Sequence, residues 1–359
     1  MLSPALLKVS VNRRSSQSLG PPMDEKVRSR SIVQMPAMTE EEEMTFSPER
    51  RKSSTGSVFI DSKELANALK KTERRSSRCG NELKQVRKMR LDTPIKPDHV
   101  RFVCIGCTHG ELFDASLLPP GDVLLIAGDF TSCGMPKEVQ AFNKMIGNSK
   151  HAFRVVIGGN HECSFDDNFM RLSKSAEPKE MAMKQALTQA IHSTSKTHPR
   201  ELLTNAIYME DNLIELFGIT MYGTPWQPKV DNWAFNVPRG QQLLDKWNMI
   251  PPGVDILLTH TPPLGHGDLM QSGQRMGCVE LLNSVFKRIK PKYHVFSHIH
   301  EGYGCTTDGY SKFINCCMCN ENLDLMNEPV IFDMPVHPHT KQFYLENVKK
   351  ITKRLTKKK

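Results

Sequence analysis

Five short apolar runs in this chain each end in residues that can ligate a metal or carry a proton. Cys107-Thr108-His109 follows the first, Gly128-Asp129 the second and Gly159-Asn160-His161-Glu162 the third. Thr259-His260 follows the fourth, and Ser297-His298-Ile299-His300 the fifth. Imidazole nitrogens, a carboxylate and an amide oxygen suit borderline divalent ions such as zinc, manganese, iron or nickel. Imidazole also transfers protons near neutral pH. A lone Gly-Asn-His turn after a strand is more often only a turn. Five such ends are harder to read as structure, because each buried unpaired polar group costs about 1–3 kcal/mol.

The elements that must position these groups follow from periodicity. Apolar runs bounded by glycine or polar turns predict strands over 99–105, 122–127, 153–157, 254–258 and 293–296. Helical spacing predicts helices over 136–146, 181–192, 239–248 and 278–289 between them. Residues 206–222 alternate like a meander, Asp308-Gly309 suits a tight hairpin turn, and 330–332 reads as a last strand. Strands alternating with helices give an α/β fold with sheets covered by helices. Sites in such sheets form at the carboxyl ends of strands, where all five sets fall.

The net charge of +9 over 359 residues suggests nucleic acid until it is divided by region. Residues 1–100 hold 20 basic against 13 acidic residues and 341–359 hold 8 against 1, which leaves 20 against 25 over 101–340. The basic character belongs to the ends, so DNA-groove binding by the globular part is not expected. Residues 1–97 are rich in Ser, Arg, Pro and Glu and read as a disordered regulatory tail, with one helical stretch at 61–71. Residues 98–340 read as the globular domain and 341–359 as a basic tail. Arginine–serine clusters make Ser16, Ser53 and Ser77 candidate sites for a basic-directed kinase. Ten scattered cysteines without a signal peptide, and no transmembrane segment, predict free thiols and a cytoplasmic location. Cys316, Cys317 and Cys319 lack zinc-finger spacing and read as buried strand residues.

The ordered set of Cys107-Thr108-His109, Gly128-Asp129, Gly159-Asn160-His161-Glu162, Thr259-His260 and His298-Ile299-His300 resembles the calcineurin-like metallophosphoesterases. The intervening sequence, with GDVLLIAGDFT, GTPWQP and DILLTHTPP, resembles the metallophosphoesterase-domain-containing branch. The resemblance implies a two-sheet αββα sandwich holding two divalent transition metal ions (Mn, Fe or Zn) at one edge. By position, Cys107, His109 and His300 would hold the first ion, and Asn160, His260 and His298 the second. Asp129 would bridge them. His161 would be the catalytic histidine, with Glu162 orienting it. The implied activity is hydrolysis of a small phosphodiester or nucleotide, cyclic nucleotides included, by metal-bound hydroxide.

One residue departs from the pattern. Cys107 stands where the family has aspartate, which leaves open a thiolate ligand, a weakened first site or a thiol that only fills space. Ser297 replaces a usual glycine. The alternative reading is therefore a catalytically weak phosphate- or nucleotide-binding protein with a phosphorylation-regulated tail. A phosphoserine phosphatase is a third. Phe130, Trp226 and Trp233 are candidates to stack a base.

Overall fold

The computed structural model describes residues 8–10, 84–171 and 177–356. The expected helix at 61–71 and the candidate phosphosites Ser16, Ser53 and Ser77 lie outside the described residues.

Three strands built from near-continuous apolar runs, β3 (His99–Ile105), β4 (Val123–Ile126) and β5 (Phe153–Ile157), lie side by side and parallel. With β6 (Ile207–Met209) beyond β5 and β15 (Val330–Pro335) antiparallel on the far edge of β3, they form a five-stranded sheet. The second sheet has eight strands. Its middle is β8 (Ile219–Thr224), β11 (Ile256–Thr259), β12 (Tyr293–Phe296) and β14 (Lys312–Asn315), all parallel. On one flank lie β7 (Asn212–Leu216) and β1 (Lys8–Ser10), on the other β13 (Gly304–Thr307) and β2 (Lys84–Gln85). A small parallel pair, β9 (Gln227–Pro228) with β10 (Asn236–Val237), stands apart.

Strand period assigns each side chain to a layer. Val100, Phe102 and Cys104 of β3 face the other sheet and pack with Ile214, Met221, Leu258 and Val295. Val103 and Ile105, one residue over, face the opposite way and join Val139, Phe142 and Ile146 of helix Pro136–Gly147. Leu243 and Trp247 of helix Gln241–Asn248 and Leu281 of helix Val279–Ser284 cover the second sheet. The order of layers is helix, sheet, sheet, helix, as expected.

Helix Pro136–Gly147 starts where proline can sit at a first turn without losing a bond, and Glu138 accepts the Met135 N–H at 3.0 Å. The other Glu138 oxygen takes the Ser132 N–H at 3.1 Å, fixing a loop used below. Helix Pro178–His192 begins three residues before the expected 181 for the same proline reason. The helix expected over 278–289 turns π-helical at Val285–Ile289 and ends on Lys290 in the left-handed region.

The expected domain edges at 98 and 340 are both crossed. Arg101 is fully buried, and its guanidinium forks onto Asp333 with two bonds of 2.8 Å while also donating to the Thr93 and Pro94 carbonyls. Those carbonyls belong to the segment before 98, so that segment is part of the fold. At the other end, helix Pro338–Thr356 runs across 340. Its Lys341 pairs with Asp122 at 2.9 Å, and Tyr344 packs on Phe217 with ring centres 4.9 Å apart. No helix among the described residues is long and apolar enough to cross a membrane.

Candidate metal centre

All five predicted sets emerge at the carboxyl edges of the parallel strands, and the two sheets meet there. The Ala127 carbonyl, just past β4, accepts from His260 Nδ1 at 2.8 Å and from Ser297 Oγ at 2.7 Å, both just past strands of the other sheet. Gly106 and Cys317 form an isolated parallel bridge across the same seam. Space at the seam is tight. A Cβ on Gly159 would meet Asp129 Oδ1 and lie 2.6 Å from His260 Cε1, so this position requires glycine.

Asp129 lies at the centre, with 1% of its surface exposed. Its Oδ2 is 3.1 Å from His260 Nε2, and its Oδ1 accepts the His161 N–H at 2.9 Å. Asn160 Oδ1 also approaches His260 Nε2, at 3.0 Å. The Nδ1 proton of His260 is committed to Ala127, so a neutral ring turns a bare lone pair toward two acceptor oxygens. With Asn160 in this amide orientation, a proton or a metal cation at Nε2 satisfies all three acceptors at once. Burial alone would lower the His260 pKa, but the Asp129 carboxylate outweighs it and raises the ring to about 9. Asp129 is correspondingly held well below the usual carboxylate range against its own burial. His298 lies beside His260, with ring centres 4.9 Å apart, and burial pushes it down to about 3.

His109, which also approaches Asp129, has its Nε2 3.0 Å from His300 Nε2. His300 Nδ1 is tied to the Asn320 carbonyl at 2.9 Å, and His109 Nδ1 is buried without a hydrogen-bond partner among the described residues. Cys107 is fully buried. Burial alone would raise its thiol, but hydrogen bonds with Cys317, His109 and His300 hold it well below its ordinary value. The His298 N–H donates to Cys107 Sγ at 3.2 Å. Three donor groups therefore converge within 4.8 Å: Cys107 with His300 and Cys317, Cys107 with Asp129 and His260, and His109 with Asp129 and His161.

Four of the ten non-glycine residues with positive φ among the described residues lie here. Cys107, His109, Asp129 and His298 all adopt positive φ, at 48°, 47°, 54° and 74°. Left-handed backbone at four non-glycine residues is costly, and it marks sites where the fold holds side chains in imposed directions.

His161 and Glu162 divide the work differently from the expectation. The His161 Nδ1 donates to the Ser132 carbonyl at 2.8 Å, which leaves Nε2 as the nitrogen free to exchange a proton. Its ring lies against Trp233, centres 4.2 Å apart. Glu162 does not orient it. The Glu162 carboxylate is fully buried and accepts from Asp129 N, Gly159 N, Thr131 N and Thr131 Oγ1 at 2.7–2.9 Å, so it latches two site loops together. Four donors saturate both oxygens and leave none for the imidazole.

Of the aromatic candidates, Phe130 is buried and stacks on Phe142 at 4.3 Å. Trp226 is buried, with its Nε1 on Asp211. Both are packing residues, and Trp233 alone of the three borders the site. The sequence reading missed Ser132, whose contribution is a carbonyl, and Cys317, which follows the end of β14. The second was hidden because β14, which ends at the same edge as β12, has no range among the strands expected from the sequence.

A model of the calcineurin-like phosphoesterase family matches residues 100–302. The chain belongs to that family. Among its relatives, the UPF0046 protein T07D4.2 of Caenorhabditis elegans is 64% identical over 399 aligned residues, covering 100% of both chains. Metallophosphoesterase domain-containing protein 1 of Homo sapiens is 45% identical over 254 residues, 68% of this chain and 74% of its own. The UPF0046 protein C25E10.12 of Caenorhabditis elegans is 44% identical, covering 73% of this chain and 91% of its own. The family match includes every predicted site residue from Cys107 to His300 and stops short of Cys317.

Members of this family typically work with two metals, and the donors fit. The Nδ1 atoms of His260, His300 and His161 each face a backbone carbonyl, which turns the three Nε2 atoms toward the site. A cation held by His260 would compete with the proton that Asp129 favours on the ring, whose pKa is raised to about 9. Affinity for zinc or manganese there should therefore rise about tenfold per pH unit from pH 7 to about 9, then level off. Competition with a metal indicator dye across that range measures it, and a flat profile would remove His260 Nε2 from the ligand set.

Proposed function

We propose that this chain is a metal-dependent phosphodiesterase acting on small phosphodiesters, cyclic nucleotides among them. The observation that carries the reading is the Asp129 carboxylate shared by two sets of converging donors, Cys107 with His260 and His109 with His161. Cys107, His109 and His300 would hold one ion, Asn160, His260 and His298 the other, and Asp129 would join both. Bound divalent ions supply Lewis acidity, neutralising phosphoryl charge and making water a nucleophile at neutral pH. The protein's own groups do the rest. Ser132 holds His161 by Nδ1, so Nε2 can protonate the departing oxygen or bond a phosphoryl oxygen. Glu162 keeps the Asp129 and Gly159 loops in register. Trp233, against the His161 ring, offers a face for a base. The nine described cysteines are all free thiols, which supports a reducing, cytoplasmic setting.

The rival reading, a phosphate or nucleotide binder with little turnover, rests on Cys107 at the position of the family's aspartate. Both are tested by hydrolysis of bis(p-nitrophenyl) phosphate and cyclic AMP by the full chain, stripped with EDTA and reloaded with Zn or Mn. We expect metal-restored turnover in the wild type, and Cys107→Asp should move the preferred ion from zinc toward manganese. A silent wild type with an active Cys107→Asp variant would establish the binder. Silence in both, with metal bound, would sink the phosphodiesterase reading.

A further inference from the structure

β14 runs parallel to β12 and stops at Asn315, so the next residues emerge at the same edge as His298 and His300. The backbone there is held from three sides. Gly106 bridges to Cys317, and the Met318 N–H donates to the Gly106 carbonyl at 2.8 Å. The Cys317 N–H bonds Asn315 Oδ1 at 3.0 Å, and Asn327 Nδ2 donates to the Cys317 carbonyl at 3.1 Å. Neighbouring Cys316 turns away, with its Sγ on the Phe296 carbonyl at 3.3 Å in the layer between the sheets. Cys317 turns inward instead. Its sulfur, the Cys107 sulfur and a His300 ring nitrogen lie within 4.8 Å of one another, and His109 Nε2 is 3.0 Å from His300 Nε2.

We propose that Cys317 is a protein ligand of the first metal site, completing with Cys107, His109 and His300 a two-thiolate, two-imidazole set that selects zinc. The proposal rests on the two-metal reading above but requires no turnover. Two sulfurs and two nitrogens are the donors of tetrahedral zinc, whereas manganese and magnesium favour oxygen. Such a set also gives cysteine a use in place of aspartate at 107, since thiolate carries the same charge as carboxylate but pairs with a second sulfur in a softer donor set that suits zinc. With the shared Asp129 carboxylate beside these four donors, the first site would have little room for water, and activation of water would fall to the Asn160, His260 and His298 side.

Zinc-edge X-ray absorption on the unmodified full chain, loaded with one equivalent of zinc, counts sulfur neighbours directly. Two sulfurs are expected; one or none overturns the proposal. Cobalt loading gives a second reading through thiolate-to-cobalt absorption in the near ultraviolet. Cys317→Ser should remove about half of that absorption and weaken zinc binding about 100-fold or more, beyond what loss of a supporting contact causes. Cys316→Ser should leave both unchanged. Full absorption retained in Cys317→Ser, or a Cys107–Cys317 disulfide in protein kept under reductant, overturns the assignment. Two sulfurs without hydrolysis would keep this site and discard the phosphodiesterase reading. Hydrolysis with one sulfur would do the reverse.

Discussion

Replacing Asp129 with asparagine is expected to lower metal-dependent turnover by about 10³-fold or more. The substitution keeps an oxygen for the His161 N–H and nearly the same volume, so the loop geometry should survive. It removes the one anion common to two of the donor groups, Cys107 with His260 and His109 with His161. Metal ions contribute several kcal/mol of charge stabilisation to phosphoryl transfer, and each 1.36 kcal/mol is a factor of ten in rate. The variant has an internal check. Without the Asp129 charge, burial governs His260, whose pKa should fall from about 9 to below its ordinary value. The pH dependence of metal affinity should then flatten above pH 7. Rates and bound metal measured together decide the matter. A loss below tenfold with two ions retained would show that Asp129 is not the bridge.

Changing His161 to alanine is expected to lower kcat about 10²–10⁴-fold for substrates with poor leaving groups while leaving metal content intact. The imidazole is not among the proposed ligands, and Ser132 holds it so that Nε2 is available. If it protonates the departing oxygen, a nitrophenolate, which leaves readily without a proton, should suffer least. An alkyl leaving group should suffer most. A variant equally slow on both substrates would place His161 on the phosphoryl oxygens rather than the leaving group. Unchanged rates on both would remove it from the chemistry.

The strands and the site edge were readable because each rests on a short-range signal. β3, β5 and β12 begin and end where the apolar runs do, and the residues after them are the ones that converge. What could not be read were partners chosen by tertiary geometry. Glu162 follows His161 in sequence, yet its carboxylate turns to Asp129 and Thr131 on another loop, and the carbonyl that holds His161 belongs to Ser132. The contacts across residue 98 were hidden for a similar reason. Residues 84–97 look like tail by composition, but Thr93 and Pro94 supply carbonyls to a buried arginine. Cys317 lacks zinc-finger spacing, but that spacing is a rule for local loops and does not govern donors gathered from separate strands.

The pairing of β15 with β3 has a consequence for how the chain is made. β3 occupies the second place in its sheet, between β15 and β4, with Val330 opposite Cys104 and Pro335 opposite His99. During synthesis β3 leaves the ribosome long before its outer neighbour. Until then an apolar strand stands at an open edge, with a row of unpaired amides beside it. Such an edge is a template for pairing with other chains, and contacts so distant in sequence form slowly. A nascent chain halted before residue 330 would therefore carry most of the donors at an assembled edge and still be exposed to aggregation. Release of the last strand, rather than assembly of the chemistry, closes the first sheet.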